Sequence, residues 1–343
     1  MPAMQTFRIT LRPLSALGTP LVGDTLFGQL CWTLRRRLGN ERLDSLLGGY
    51  TQGQPFAIVS DALPRDHLPL PSLPSDTWQT TGNSDRKALK KKRWLPLSAL
   101  QKPLSKWQQE ARTDQELAND FARSQSRFNP QDRPSPLYTE RAQPHNTINR
   151  QTGTTGTGMF APYTMSQIWL APGSELDLWL ALDIDRIQPA DIHAAFTDMG
   201  QQGYGRDASI GLGKFELLDG TLQAWPELRI TGEPNAWLTL GPCAPQGQGF
   251  CPERSYWNTV TRFGRHGDVA VQSGQPFKRP VLLAKAGSVF RPAQGGIDAA
   301  QTHIGQGLGG SATPISAAMP ETVQQGYCPI VPIHIPDEPG ASQ

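Results

Sequence analysis

The sequence is poor in the residues that build metal, redox and membrane chemistry. Only four of its 343 residues are cysteine, Cys31, Cys243, Cys251 and Cys328, and none forms a CxxC pair. Small buried or idle thiols are expected, and neither a disulfide framework nor a zinc site. The six histidines are His67, His145, His193, His266, His303 and His334. None has a His or Cys four residues on, and none accompanies a catalytic Ser or Cys in a recognisable motif. No paired carboxylates stand out, and GxxxxGK[ST] is absent, which removes a Walker-type phosphate loop. No apolar run reaches the ~20 residues that a bilayer requires. The opening MPAMQTFRIT lacks the charged start and apolar core of a secretory signal. A soluble, cytoplasmic protein without cofactor, metal or membrane contact is the expectation.

Charge is sparse too. Charged residues make up 18% and the net charge is +2, so the field of the whole molecule is weak and attraction to nucleic acid must come from local patches. Hydrophobic residues, at 37%, argue against a disordered chain, and the 34 glycines and 31 prolines favour loops and short strands over a helical bundle.

The charges that are present are segregated. Arg86, Lys87, Lys90, Lys91, Lys92, Arg93, Lys102 and Lys106 stand against Asp85 alone. Between residues 254 and 291 seven Lys or Arg, among them Lys278, Arg279 and Arg291, stand against Asp268 alone, and no Lys or Arg follows Arg291. Glu175, Asp177, Asp183, Asp185, Asp191 and Asp198 face only Arg186. This pattern predicts one basic and one acidic face.

Hydrophobic periodicity gives the order of elements. Phe7, Ile9 and Leu11 alternate with Thr6, Arg8 and Thr10, which predicts a half-buried strand over 5–12. After the turn SALGTPLVG, Asp24 is placed to cap a helix whose apolar face is Leu26, Phe27, Leu30, Cys31 and Leu34. Arg35, Arg36 and Arg37 close that helix where its dipole favours cations. A second helix at 41–47 ends at Gly48–Gly49, and 55–62 reads as a strand. Residues 63–140 interrupt any compact pattern and read as a large insertion, with a polar helix over 104–125 and breaks at Pro130, Pro134 and Pro136. Trp94, after the run Arg86–Arg93, is a possible base-stacking group on that insertion.

Strand character returns at Thr139–Asn149 and Met159–Leu170 around the hairpin tip INRQTGTTGTG. An alternating strand follows at Glu175–Asp183, then a helix at Pro189–Gln202 and a strand at Lys214–Leu218. Strand, helix, strand, strand, helix, strand is the ferredoxin-like order shared with RNA-recognition modules. The fold class is therefore α+β, with one ferredoxin-like unit over 1–221 and a degenerate second one over 222–343. The second unit carries strands near 236–241, 280–290 and Tyr327–Ile335 and little helical signal.

Four glycine-punctuated segments can carry binding chemistry. Gly23, Asp24 and Thr25 open a helix, whose free N–H groups can hold phosphate or simply be capped. His145, Asn146, Asn149 and Arg150 lead into the hairpin tip, where Asn and His can meet base edges and Arg can meet phosphate. The turn GYGRDASIGLGK, with Arg206, Ser209 and Lys214, offers successive N–H groups to an anion or is an ordinary turn. Gly305, Gly307 and Gly310 spell GxGxxG, but Pro314 follows where a helix must run, so a dinucleotide site is not expected. Close packing on a nucleic-acid backbone or on the other domain is. His303 precedes this loop as a possible base contact. His145 with Arg150 also leaves open a metal-independent endoribonuclease that processes repeat RNA.

Five stretches in order, GDTLFGQLCWTLRRRLG, PFAIVSDALP, PHNTINRQTGT, GYGRDASIGLGKFE and the pair THIGQGLGG and PETVQQGYCPIVPI, resemble the fourth subunit of Csm-type (type III-A) CRISPR effector complexes. That subunit is a Cas5-like member of the repeat-associated mysterious protein (RAMP) superfamily. The resemblance spans nearly the whole chain and is weakest in the insertion. It implies two ferredoxin-like domains with a projecting thumb hairpin at about 143–165. It also implies a non-catalytic role in capping the 5′ handle of crRNA. The implied partners are a Cas10-type large subunit and the Cas7-like third Csm subunit of the backbone. By matching position, the hairpin would wedge against the guide, and the turns at 23–25, 203–214 and 303–310 would line the handle.

Overall fold

The computed structural model describes residues 4–78, 86–124, 136–267, 276–298 and 300–336. Asp85, Pro130, Pro134 and Asp268, used in the sequence reading, lie outside them. In chain order the main elements are β1 (Met4–Pro13), α1 (Gly23–Leu38), α2 (Asn40–Leu47) and β2 (Ala57–Val59). The insertion supplies β3 (His67–Pro69), β4 (Lys92–Pro96), β5 (Arg112–Thr113) and α3 (Asp114–Arg123). Then come the hairpin β6 (Tyr138–His145) and β7 (Tyr163–Leu170), followed by β8 (Leu176–Asp183), α4 (Pro189–Gln202) and β9 (Phe215–Leu217). The remainder adds β10 (Ala236–Thr239), β11 (Thr259–Arg262), β12 (Val281–Ala284), β13 (Val289–Phe290), β14 (His303–Gly305) and β15 (Tyr327–Ile333). Among the described residues no α-helix follows Gln202, and no helix is long and apolar enough to cross a membrane.

The first sheet runs β9–β1–β8–β2, antiparallel throughout. Leu26, Phe27, Leu30 and Leu34 of α1 and Ile192, Phe196 and Met199 of α4 pack with Ile9, Leu11, Leu178 and Leu180 in one core. The second sheet runs β13–β10–β15–β14, also antiparallel. Its Leu238 and Val331 share a second core with Trp179 of the first sheet and with Leu95, Trp107 and Leu117 of the insertion.

That second core changes several expectations. Strand β8 is buried on both faces instead of half-buried. Its alternating acids are internal partners: the fully buried Asp177 accepts from Thr10 Oγ1 at 2.9 Å and from the Asp66 N–H at 2.9 Å. Glu175 pairs with Arg12 at 2.7 Å and also with Arg65, and Asp198 pairs with Arg37. Carboxylates placed this way neutralise arginines from β1, α1 and the insertion, so these residues do not form the expected acidic face.

The insertion is also more ordered than its composition suggests. Trp94 is a core residue, not a stacking platform: its indole Nε1–H donates to Asp114 Oδ1 at 2.6 Å, and Arg93 lies over the ring. The polar helix expected over 104–125 is split at Ala111–Thr113. Thr113 starts a new helix as N-cap, with its side chain accepting from the Glu116 N–H and the Glu116 carboxylate accepting from the Thr113 N–H. This reciprocal box outcompetes continuation of the preceding turn. The strand expected over 280–290 is likewise divided into β12 and β13 by a turn at Gly287.

Candidate nucleic-acid interface

In a free four-stranded recognition sheet, RNA stacks on the open face. Here that face is closed. Trp179 projects from it into the second core, edge-on to Trp225 at 4.9 Å, and is fully buried. Any RNA must be held by what projects beyond the sheets.

The hairpin β6–β7 is packed on the body at Tyr138, Ile168 and Leu170 and largely exposed in its outer half. Its register places Thr139 opposite Trp169, Arg141 opposite Gln167, Gln143 opposite Met165 and His145 opposite Tyr163, all on one face. His145 stacks on Tyr163 with ring centroids 5.3 Å apart and planes 13° from parallel, and the Arg141 guanidinium lies 5.9 Å over the Trp169 ring. Tyr163 and Trp169 are 50% and 41% exposed, far above what packing on the chain itself requires. A row of rings and a cation on one strand face is the arrangement on which unstacked bases stack. Beyond it, Asn146 and Arg150 are exposed, while Asn149 organises the tip: its side-chain oxygen accepts from the Gln151 N–H, and its backbone pairs with Thr154.

The glycine loop at 203–214 buttresses the base of this hairpin. Leu17 exchanges backbone bonds of 2.8 and 2.9 Å with Ile168 of β7, and Arg206 donates to the Ser166 carbonyl at 2.6 Å while pairing with Asp207. Ser209 and Lys214 are exposed beside it, and the Lys214 N–H donates to Ser15 Oγ. Gly213 has φ +73°, and a Cβ there would lie 2.1 Å from the Tyr204 carbonyl oxygen. Gly213→Ala is therefore expected to cost at least about 2 kcal/mol, from left-handed strain and a backbone collision. A drop in thermal midpoint would show this, and an unchanged midpoint would contradict it.

The segment 23–25 is satisfied internally. Val22, not Asp24, is the N-cap of α1, and it makes no side-chain cap. Asp24 is drawn away by Arg262 of β11, which makes two bonds of 2.9 Å to its carboxylate and one of 2.7 Å to Thr25 Oγ1. The Gly23 N–H donates to Asp61 Oδ1 at 2.8 Å, so a carboxylate of the chain already occupies the helix end proposed for phosphate. Lys278 lies near Asp24, with its stem against Gly264, and burial pushes its ammonium below the ordinary lysine range.

Burial pushes Asp61 up to about 7; the Gly23 N–H opposes that shift, and Asp24 adds to it. The unfolded chain titrates this carboxyl near 4. The stability gained from its proton is thus full below about pH 4 and lost as pH rises through 7. Asp61→Asn keeps an oxygen for the Gly23 N–H. It is expected to flatten the fall in thermal midpoint between pH 5 and 8, and an unchanged slope would contradict this.

The 303–310 segment is brought to the interior, not to the hairpin. His303 lies edge-on to Tyr327 at 5.7 Å, and burial pushes its imidazole down to about 4. Gly305, at φ +94°, approaches the Gly326 carbonyl and accepts no Cβ, and Gly307 presses on the Tyr50 backbone. Of the two alternatives for this loop, it is packing on the first unit that is seen. Arg279 is exposed beyond β11, with its N–H on the Ile315 carbonyl, and Arg291 follows β13 at the edge of the second sheet.

Sequence reasoning missed Arg141, Tyr163, Trp169 and Arg262 as site residues. The first three show only when the two hairpin strands are laid in register, which fixes their common face. Arg262 had no local signal, because its partner is 238 residues away.

Two antiparallel sheets, helices on one side of the first and a two-stranded hairpin anchored to the body at its base define the class: a mixed α+β protein built around a closed sheet face. No family model and no curated protein sequence matches the chain. Solved structures do. A chain of the Csm3–Csm4 subcomplex from the type III-A CRISPR-Cas interference complex is similar at TM-score 0.57 and 13% identity, over 96% of this chain and 99% of that one. Chains of the Csm1–Csm4 cassette are similar at 0.52 and 15% identity with pppApA bound, and at 0.51 and 14% with AMPPNP, each over 97% of this chain and 99% of that one. Csm4 is the component common to all three, and the chain has the Csm4 fold.

Proposed function

We propose that this chain is the Csm4-like subunit of a type III-A CRISPR-Cas interference complex. In this role it holds the 5′ handle of the crRNA and joins a Cas10-type large subunit to a Cas7-like backbone subunit. The observation that carries the reading is end-to-end likeness to the component found both beside Csm3 and beside Csm1. On this reading the unit β1–α1–β2–β8–α4–β9 is ferredoxin-like, since its sheet order is fourth, first, third, second. The hairpin β6–β7 is the thumb. Its Tyr163–His145 pair and Arg141–Trp169 pair stack unpaired handle bases, and Arg206 and Lys214 at its base meet phosphates.

The role is non-catalytic: the chain grips and positions RNA, and cleavage or nucleotide chemistry belongs to its neighbours. Co-expression with the other subunits and sequencing of the RNA retained is the test. Guides sharing one 5′ sequence, lost when this chain is omitted, are expected. Guides with unrelated 5′ ends would overturn the reading, as would metal-independent cutting of repeat RNA by the isolated chain.

A further inference from the structure

A second hairpin, β11–β12, carries a surface that the thumb does not account for. Its inner face is fixed to the body by the Arg262–Asp24 pair, by a 2.7 Å bond between His266 Nε2 and Ser316 Oγ, and by Gly267 against the Trp32 indole. Among the described residues its outer face is exposed around Phe263, Phe277 and Leu282. Alternation puts Thr259, Thr261, Phe263 and Arg265 on that face, with Leu282 opposite Thr261 and Phe277 opposite Arg265. Phe263 is 69% exposed, Phe277 64% and Leu282 57%. The Arg265 guanidinium sits 5.7 Å over the Phe277 ring, and Arg279 is exposed alongside.

The charge of this face selects its occupant. Rings, hydroxyls and guanidinium groups alternate on it, and no carboxylate lies among its described residues. A polyanion with flat, unpaired bases complements each of these groups: bases stack on the rings and phosphates meet the arginines. The anchored inner face keeps the platform in place before anything binds, which lowers the entropy lost on binding.

Building on the reading that the chain holds RNA, we propose that the outer face of β11–β12 is a second single-stranded RNA platform, separate from the thumb. Phe263 and Phe277 supply the stacking and Arg265 and Arg279 the phosphate contacts.

The test uses the full chain and a fluorescein-labelled 20-nucleotide oligouridine, with binding read by anisotropy across a salt series. Phe263→Ala with Phe277→Ala is expected to weaken binding by about tenfold or more, with the thermal midpoint unchanged because both rings are exposed. Arg265→Gln with Arg279→Gln is expected to reduce the salt slope by about 1.4, as for two lost phosphate contacts. Unchanged RNA affinity in the phenylalanine variant, while the wild type binds, would overturn this inference and leave the thumb reading standing. So would loss of a co-purifying protein subunit at unchanged RNA affinity, which would make the face a protein-docking surface. A wild type that binds no RNA would overturn both.

Discussion

Arg262→Met is expected to destabilise the protein by about 3 kcal/mol, far more than an ordinary surface substitution. Asp24 keeps only 5% of its side chain exposed and Arg262 23%. Removing the arginine leaves an enclosed carboxylate with Gln324 Nε2 at 3.1 Å as its remaining side-chain donor of any strength. The figure belongs at the low end for a broken buried pair, because Arg262 retains some water. Asp24→Asn in the same background should restore much of the loss, since no stranded charge then remains. Urea unfolding of the three variants measures this. A loss below about 1 kcal/mol in the single variant would mean that the pair is solvent-screened and contributes as little as a surface bridge.

His145→Ala with Tyr163→Ala is expected to reduce RNA retention by the assembled complex ten- to hundredfold, as for about 1–3 kcal/mol of lost stacking. The fold should be unaffected, because the hairpin strands are mutually paired and this ring pair lies at their outer end. The matching change at the inner end, Arg141→Ala with Trp169→Ala, tests whether the whole face is used. If only the outer pair matters, contact is confined to the tip. Retained RNA with both pairs removed would take the thumb out of the account.

Much of this architecture is legible in the sequence, for identifiable physical reasons. The helices at 24–37 and 189–202 have clean periods, because each buries one face against a single core, and the unbroken apolar run at 55–59 marks a strand that is buried on both faces. The same rule failed for β8. Its alternation of Leu with Asp suggests a wet face, yet Asp177 is dry because Thr10, Asp66 and Arg8 satisfy it from three directions. Trp94 misled in the same sense, since a tryptophan beside six cations looks exposed until Asp114 is known to receive its N–H. Both cases turn on partners distant in sequence, which periodicity cannot register.

The binding segments divide in the same way. Gly203, Gly213, Gly305, Gly307 and Gly309 mark real close approaches, but of protein backbone to protein backbone. What distinguishes the hairpin 138–170 is not glycine. It is the pairing of His145 with Tyr163 and of Arg141 with Trp169 across and along a two-stranded register. The residues His145, Asn146 and Arg150 mark the same hairpin in the sequence, while their aromatic neighbours needed the fold.

Ultraviolet crosslinking of the assembled complex with its native guide RNA, followed by peptide mapping, tests the central claim most directly. Crosslinks from the shared 5′ segment of the guide to peptides spanning 138–170 and 203–214 of this chain are predicted. Crosslinks from that segment only to other subunits, with both peptides bare, would contradict it.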